Sequence, residues 1–308
     1  MRYSKNISTN ILRDQNKEID YVVTPNAKEI FDRIFTHNYA ANKSFNLIGN
    51  YGTGKSTFLW ALEKNLKNEN IYFNEIYFEN KKVKDYVFIK IVGHKSSLLR
   101  TFCKTLKIKE DSESIKIIEK LEQKRKSLLK KQKGLVVIID EFGKFLEYAA
   151  ENNSSEELFL LQQISEWSNN DDNDTYFITT LHQNFSNYGK NLNSQDKLEW
   201  EKVKGRFVDL VFNEPVEQLI YFASKKLKEF DIATDLKKDF EVLLGLIKNS
   251  KLVSHNKTVS EDLSKSLYPL DWLSANVLVN SLQRYGQNER SLFSFLNDDT
   301  KYSIKQLK

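Results

Sequence analysis

The chain has a single cysteine, Cys103, which excludes an internal disulfide. Cys103 lies in the apolar stretch Leu98-Leu99-Arg100-Thr101-Phe102-Cys103 and reads as a packed thiol rather than a reactive one. No apolar run reaches the roughly 18 residues that a membrane span needs, so no membrane association is expected. The opening MRYSKNISTN has no apolar stretch of the export-signal kind, so a cytoplasmic protein is expected. There is no internal repeat, and no low-complexity tract beyond one charged segment. What remains is a soluble globular composition, 40% hydrophobic and 29% charged over 308 residues. That length suits one large domain or two smaller ones. The net charge of +5 permits contact with nucleic acid without arguing for it.

The most informative stretch is Gly49-Asn50-Tyr51-Gly52-Thr53-Gly54-Lys55-Ser56, followed by Thr57. It fits G-x-x-x-x-G-K-S/T, a loop whose successive backbone N–H groups wrap a nucleotide's phosphates. Gly49, Gly52 and Gly54 let the backbone approach the anion closely. Lys55 brings a point charge to the β/γ-phosphates, Ser56 offers a hydroxyl to Mg²⁺, and Thr57 supports it. The context agrees. Phe45 to Ile48 reads as a strand, and Phe58, Leu59, Ala61, Leu62 and Leu66 form the apolar face of a following helix, whose N-terminus adds its own anion site. No Asn/Thr-Lys-x-Asp guanine-reading motif is present, which leans towards ATP. Tyr21-Val22-Val23 is a candidate for packing on the base.

The first 40 residues are polar and are expected to wrap the nucleotide domain, with a helix entered at Pro25-Asn26 and running from Ala27 to Phe35. Tyr86 to Val92 reads as a strand and Ser96 to Leu106 as a helix. Residues 107–133 carry a thin apolar stripe and a basic end, Lys124, Arg125, Lys126, Lys130, Lys131 and Lys133. A solvated helix face with cations near its C-terminus accounts for these charges most simply, and a nucleic-acid surface is the other reading. Leu135 to Ile139 is a continuous apolar run, as in a parallel strand buried on both faces. An amphipathic helix over about 155–168 follows, then strands at Thr175 to Thr180 and Phe207 to Phe212. This alternation argues a parallel sheet covered on both faces. From Val216 onward only helices are read, at 216–230, 236–248, 271–284 and 288–297, so a domain boundary is expected near Glu214-Pro215. The expected domains are 1–215, α/β, and 216–308, all helical.

The apolar strand ends in Asp140-Glu141. A carboxylate there can order the water shell of Mg²⁺, and the next can polarise the attacking water; an acidic N-cap for the helix Gly143 to Ala150 is a compatible reading. The order of phosphate loop, extra strand and acidic strand belongs to the additional-strand class of P-loop NTPases, with a five-stranded sheet in the order 5-1-4-3-2 and a helical lid. In that class a polar side chain at the end of the next strand feels the γ-phosphate. Thr180, His182 and Gln183 are candidates, and His182 is favoured because Leu181-His182-Gln183 leaves the strand at its carboxyl end. Arg206 stands directly before the last strand, where a guanidinium could reach a neighbour's nucleotide, with Lys204 a weaker substitute. Arg290 falls in the first turn of a helix opened by Gln287-Asn288-Glu289 and could point at the β/γ-phosphates.

Together the GNYGTGKST loop, VVIIDEF, the strand ending in TTLHQ, Arg206 and Arg290 resemble an AAA+ ATPase over about residues 20–300. Four stretches narrow the resemblance: YVVTPNAKEIFDRIF, IIDEFGKFLEYAA, TLHQNFSNYGKNL…EWEKVKGRFVDLVFNEP and YPLDWLSANVLVNSLQRYGQNERSLFSFL. The combination is similar to N-terminal ATPase modules of large prokaryotic phage-defence proteins, such as the P-loop subunit of BREX-type systems. This implies ATP and Mg²⁺ as cofactors, Lys55 and the loop on the phosphates, Ser56 and Asp140 on the metal, and Glu141 as catalytic base. It further implies homo-oligomers with ATP between subunits, DNA or RNA contact, and protein partners of a defence system. Such proteins are usually longer, so the chain reads as a truncated piece or a minimal version. Two other readings are an origin-recognition-like DNA loader, for which no winged-helix region is read after Phe295, and a nucleotide-gated switch.

Overall fold

The structure is a computed structural model that describes residues 9–19, 21, 23–35, 42–69, 71–73, 83–110, 112–152, 155–170, 174–190, 192, 194–213, 216–227, 237–249, 261–285 and 295–296. In chain order the elements are α1 (Pro25–Phe35), β1 (Ser44–Ile48), α2 (Lys55–Leu66), β2 (Asp85–Val92), α3 (Leu98–Leu106), α4 (Ser114–Leu129), β3 (Lys133–Asp140), α5 (Gly143–Glu151), α6 (Ser155–Ser168), β4 (Thr175–Leu181), α7 (Phe185–Tyr188), α8 (Ser194–Lys204) and β5 (Val208–Val211). Four helices follow: α9 (Val216–Leu227), α10 (Lys237–Asn249), α11 (Glu261–Ser266) and α12 (Trp272–Tyr285).

All the strand pairings are parallel, and the sheet order is β2-β3-β4-β1-β5, the expected 5-1-4-3-2 read from its other edge. The central strand shows why both faces are covered. Successive side chains of a strand point to opposite faces. Leu135, Val137 and Ile139 join the core on one side, whereas Val136 and Ile138 join the core on the other. Helices α3 to α8 supply the first core. The second is supplied by α1, α2 and Ile11. Helix α1 is shaped for its place. Thr24 Oγ1 accepts the Ala27 N–H at 2.9 Å, Pro25 sits where its missing N–H costs nothing, and Ala27, Ile30, Phe31, Ile34 and Phe35 are buried at helical spacing. Cys103 is buried in α3.

A polar row crosses the sheet at mid-height. Thr179 Oγ1 donates to Asn46 Oδ1 at 2.6 Å, and Asn46 Nδ2 donates to Asp209 Oδ1 at 2.8 Å. These three are register partners across β4, β1 and β5. A one-residue slip would leave the fully buried Asn46 without its partners, so the row pins the register.

Sequence periodicity missed α7 and α8, which lie between β4 and β5. In α8, SQDKLEWEKVK, Trp200 and Val203 alone are buried among the described residues, too thin a stripe to read as a helix.

The chain divides into two compact units. The larger holds Thr9–Asn50 and Lys55–Asn213; the smaller holds Tyr51–Gly54 and the helices after β5. In the smaller unit, Leu219, Ile220, Phe222, Ala223 and Leu227 of α9 build a core with Leu267, Ala275 and Val279. Helix α11 was not expected from the sequence. The helix expected at 288–297, and with it Arg290, lies outside the described residues apart from 295–296. The boundary residues Glu214 and Pro215, and Val22, also lie outside them. Among the described residues no helix is long and apolar enough to cross a membrane.

Candidate nucleotide-binding site

Strand β1 carries the chain to the carboxyl edge of the sheet, where the Gly49 N–H donates to the Leu181 carbonyl at 3.1 Å. The loop is thereby tied at its base to the end of β4. Gly52 and Gly54 have φ of 80° and 85°, the left-handed region that a side chain would strain. Tyr51 is exposed and Thr53 buried. Helix α2 opens at Lys55, whose ammonium turns back to donate to the carbonyls of Gly49 at 2.5 Å and Asn50 at 2.7 Å. Ser56 and Thr57 occupy the first turn of α2. The Thr57 and Thr9 hydroxyls share a hydrogen bond of 2.9 Å, and Lys90 Nζ holds the Ile11 carbonyl at 3.0 Å and Glu63 Oε2 at 2.8 Å. Segment 9–17 is thus fastened directly to the helix that begins at the loop.

The acidic strand end is the most constrained part of the site. Asp140 falls on the same face of β3 as Val136 and Ile138, the side on which α2 packs, and Thr180 shares that face of β4 with Tyr176 and Ile178. The register Ile139↔Thr179 makes Asp140 and Thr180 neighbours. Thr180 Oγ1 donates to Asp140 Oδ1 at 2.6 Å and accepts the Glu141 N–H at 2.8 Å. The Phe142 N–H donates to the Thr180 carbonyl at 3.0 Å. Glu141 itself has φ of 54°, a left-handed conformation that costs a residue with a Cβ roughly 1–2 kcal/mol. Its neighbours hold it there. From β2 the Gly93 N–H donates to the Asp140 carbonyl at 2.7 Å, and a Cβ built on Gly93 would lie 2.0 Å from the Glu141 carbonyl oxygen. Gly93 is therefore part of the site. The sequence signal was available, a lone glycine closing an apolar strand, but nothing local said what it approaches.

Burial, then the adjacent Asp140 carboxylate, raise the Glu141 pKa, with Lys144 and Lys55 opposing. Burial lowers the His182 pKa, Glu147 opposes this, and Lys144 and Lys55 add to it. His182 Nδ1 is 2.8 Å from the Tyr188 hydroxyl. Gly143 lets that hydroxyl sit close, since a Cβ there would be 2.3 Å from it. Of the three γ-phosphate candidates, Thr180 is the one bonded to Asp140, whereas His182 is turned to Tyr188. Gln183 lies in the bend after β4.

Arg206 is not brought to this edge. It lies two residues before Val208, which pairs with Phe45 at the start of β1, so more than about 13 Å of strand separates it from Gly49. Its guanidinium donates to Glu166 Oε1 at 2.6 and 2.9 Å and to the Lys202 carbonyl at 2.6 Å. Lys204 pairs with Glu201.

Among the described residues, no group of three or more His, Cys, Asp or Glu is placed to hold a metal ion. The donors at the carboxyl edge are the Ser56 hydroxyl and the Asp140 carboxylate. So small a set suits Mg²⁺, which keeps waters and phosphate oxygens as its other ligands.

No protein-family model matches the chain, and no curated protein matches it. Solved structures with partial similarity include the ORC2 protein of Aeropyrum pernix in ADPNP and ADP complexes, with a TM-score of 0.45, 16% identity, and 69% of this chain and 55% of that one covered. PCH-2 of C. elegans gives a TM-score of 0.33 at 18% identity, covering 68% of this chain and 47% of that one. Drosophila ORC bound to DNA gives 0.38 at 11%, covering 89% and 67%. The matched part is about half the length of the first two.

Proposed function

We propose that the chain binds and hydrolyses ATP as an AAA+ ATPase module. The observation that carries the reading is the corner Asp140-Glu141, held in a strained conformation by Thr180 and Gly93 at the edge of the sheet where the phosphate loop begins. Asn68, Lys107 and Gln132 share the positive φ, but only at Glu141 does it coincide with a pair of adjacent carboxylates bonded to a neighbouring strand.

In this reading the N–H groups of Gly49 to Ser56 cradle the phosphates, and Lys55 moves from the loop carbonyls to the β/γ-phosphates. Ser56, supported by Thr57, and Asp140 would hold Mg²⁺, which when bound would supply positive charge to the phosphoryl oxygens. Glu141 orients and deprotonates the attacking water. Its raised pKa brings it nearer the operating pH, as a general base requires. Thr180 keeps Asp140 and the Glu141 backbone in place, and His182, supported by Tyr188, is assigned to sensing the γ-phosphate. Arg206 lies too far from its own loop to act there, which supports a role at a neighbouring subunit's nucleotide in a homo-oligomer. The four sequence stretches similar to phage-defence ATPases supply the biological setting, with protein partners and nucleic acid of that system.

Glu141→Gln should lower ATP turnover by about 100-fold or more while a fluorescent ATP analogue still binds. Lys55→Ala should instead lose the binding. Normal turnover by E141Q would overturn the assignment. A specific rate that climbs with protein concentration and is lost in Arg206→Ala supports shared sites. The present pairing of Arg206 with Glu166 favours one second reading, a nucleotide-gated switch, for which the rate would be slow and independent of concentration.

A further inference from the structure

The positive charge of this protein is concentrated in one place that the nucleotide reading leaves unused. Residues 120–133 contain seven Lys and Arg and one carboxylate, Glu122, an excess of six in a chain whose whole net charge is +5. That carboxylate is already engaged. It accepts from Arg125 at 2.7 and 2.8 Å and from Trp167 Nε1 at 2.9 Å, with Lys126 at 3.4 Å. Lys124, Lys130 and Lys131 are exposed and form no ion pair among the described residues. Lys84 joins them, exposed, through its backbone bond to Gln132 at 2.8 Å.

The helix dipole explains only part of this. It favours cations within the last turn, which in α4 means Lys126 and the residues just after it. Lys116, Lys120 and Lys124 lie further back, all exposed, at intervals of four. Such residues stand in a line along a helix about 6 Å apart. The helix spends its apolar residues elsewhere, with Ile117 and Leu121 buried. Glu113 and Glu119 are exposed as well, so the first turns of α4 mix both signs as a solvated face does, but from Gln123 to Lys133 every charged residue is a cation.

We propose that the exposed lysines of α4 and the turn that follows it, with Lys84, form a binding surface for the phosphate backbone of double-stranded DNA. The stripe from Lys116 to Lys124 runs about 12 Å, enough to meet several phosphates, which a duplex presents every 3.4 Å along each strand. The lysines address phosphates, which carry no sequence information, so the contact is sequence-independent. The surface lies at the amino end of β3, the opposite end of that strand from Asp140, and does not depend on the ATPase reading.

The test is the fluorescence anisotropy of a labelled duplex with the full chain, titrated between about 50 and 200 mM salt. Wild type should bind with an affinity that falls steeply with salt. Lys124→Glu/Lys130→Glu/Lys131→Glu should bind at least about tenfold more weakly, with a salt slope shallower by about 3. Lys28→Glu/Lys190→Glu/Lys197→Glu, the same charge change at exposed positions elsewhere, should bind as wild type does. DNA-free ATP turnover should be unchanged in both, so loss of turnover and loss of DNA binding are read separately. Should the reversed variant fail to fold, Lys124→Gln/Lys131→Gln should still weaken binding and flatten the slope. Absence of salt-dependent binding at 50 mM, equal loss in both triple variants, or binding to anionic vesicles but not to duplex would overturn the proposal.

Discussion

At the carboxyl end of β3 the polar groups are locked by one another. Asp140 is nearly buried, its Oδ1 taken by the Thr180 hydroxyl, and Glu141 is held at positive φ by bonds from β2 and β4. Just before the amino end of the same strand Lys130 and Lys131 stand exposed, and Lys84, exposed before β2, is bonded to the same turn. Gln132 at this end shares the positive φ of Glu141, but its exposed neighbours are placed by charge rather than by hydrogen bonds to one another. Buried polar groups must be satisfied or they cost free energy, so the first end tolerates few arrangements. Exposed cations are screened and interchangeable, so the second tolerates many.

The sharpest way to break this contrast is at the two glycines. Gly93→Ala places a Cβ 2.0 Å from the Glu141 carbonyl. It should destabilise the protein by about 3 kcal/mol, seen as a lowered denaturant midpoint, and reduce kcat as Glu141 shifts. Gly205→Ala, in the turn before β5, meets nothing nearer than 3.4 Å and should change either quantity very little. Thr180→Val comes next. It removes the hydroxyl that accepts from the Glu141 N–H and donates to Asp140, leaving Asp140 Oδ1 with the Glu141 N–H at 3.1 Å, for about 1–3 kcal/mol and a lowered kcat. Thr180→Ser keeps the hydroxyl and should restore most of both; equal damage from Ser and Val would show that the methyl packing, not the bond, matters.

The pH dependence sharpens the same end. Glu141 must be ionised to act as a base, and its pKa is raised. The acid limb of kcat against pH should therefore fall through a pKa above the ordinary carboxylate value of about 4.3, with activity present above it and lost below. His182, its pKa lowered, should add no limb near neutrality. The smallest effect belongs to the charged end. Glu122, lowered to about 2 by Arg125 above all, contributes stability that is present above its unfolded pKa and lost as pH falls towards 2. The pair is partly exposed, so Glu122→Gln should cost no more than about 1 kcal/mol by thermal melting at pH 7.

The sheet and its order were legible in advance because each buried strand announces itself. LVVIID is apolar on both faces, and the glycine loop between strand and helix has one structural context. Lys55, Asp140 and Glu141 were singled out the same way, from their immediate neighbours in the chain, and their roles are proposals that the variants above test. Among the γ-phosphate candidates the chain order favoured His182, but only the register of β3 against β4 shows that Thr180 reaches Asp140. Helices α7 and α8 were invisible because their few buried residues, Phe185, Tyr188, Trp200 and Val203, are spread among polar ones.

What the amino-acid sequence by itself determined was therefore local: which segments are strands, where a glycine-rich loop joins a strand to a helix, and where carboxylates end a strand. Those properties follow from periodicity and from residues next to one another. The tertiary structure alone decided that Gly93, 48 residues before Glu141, must lack a side chain for that glutamate to hold its conformation. It also decided that Arg206 sits at the far edge from its own loop. Both depend on which strands lie side by side and in what register, and no local pattern encodes that.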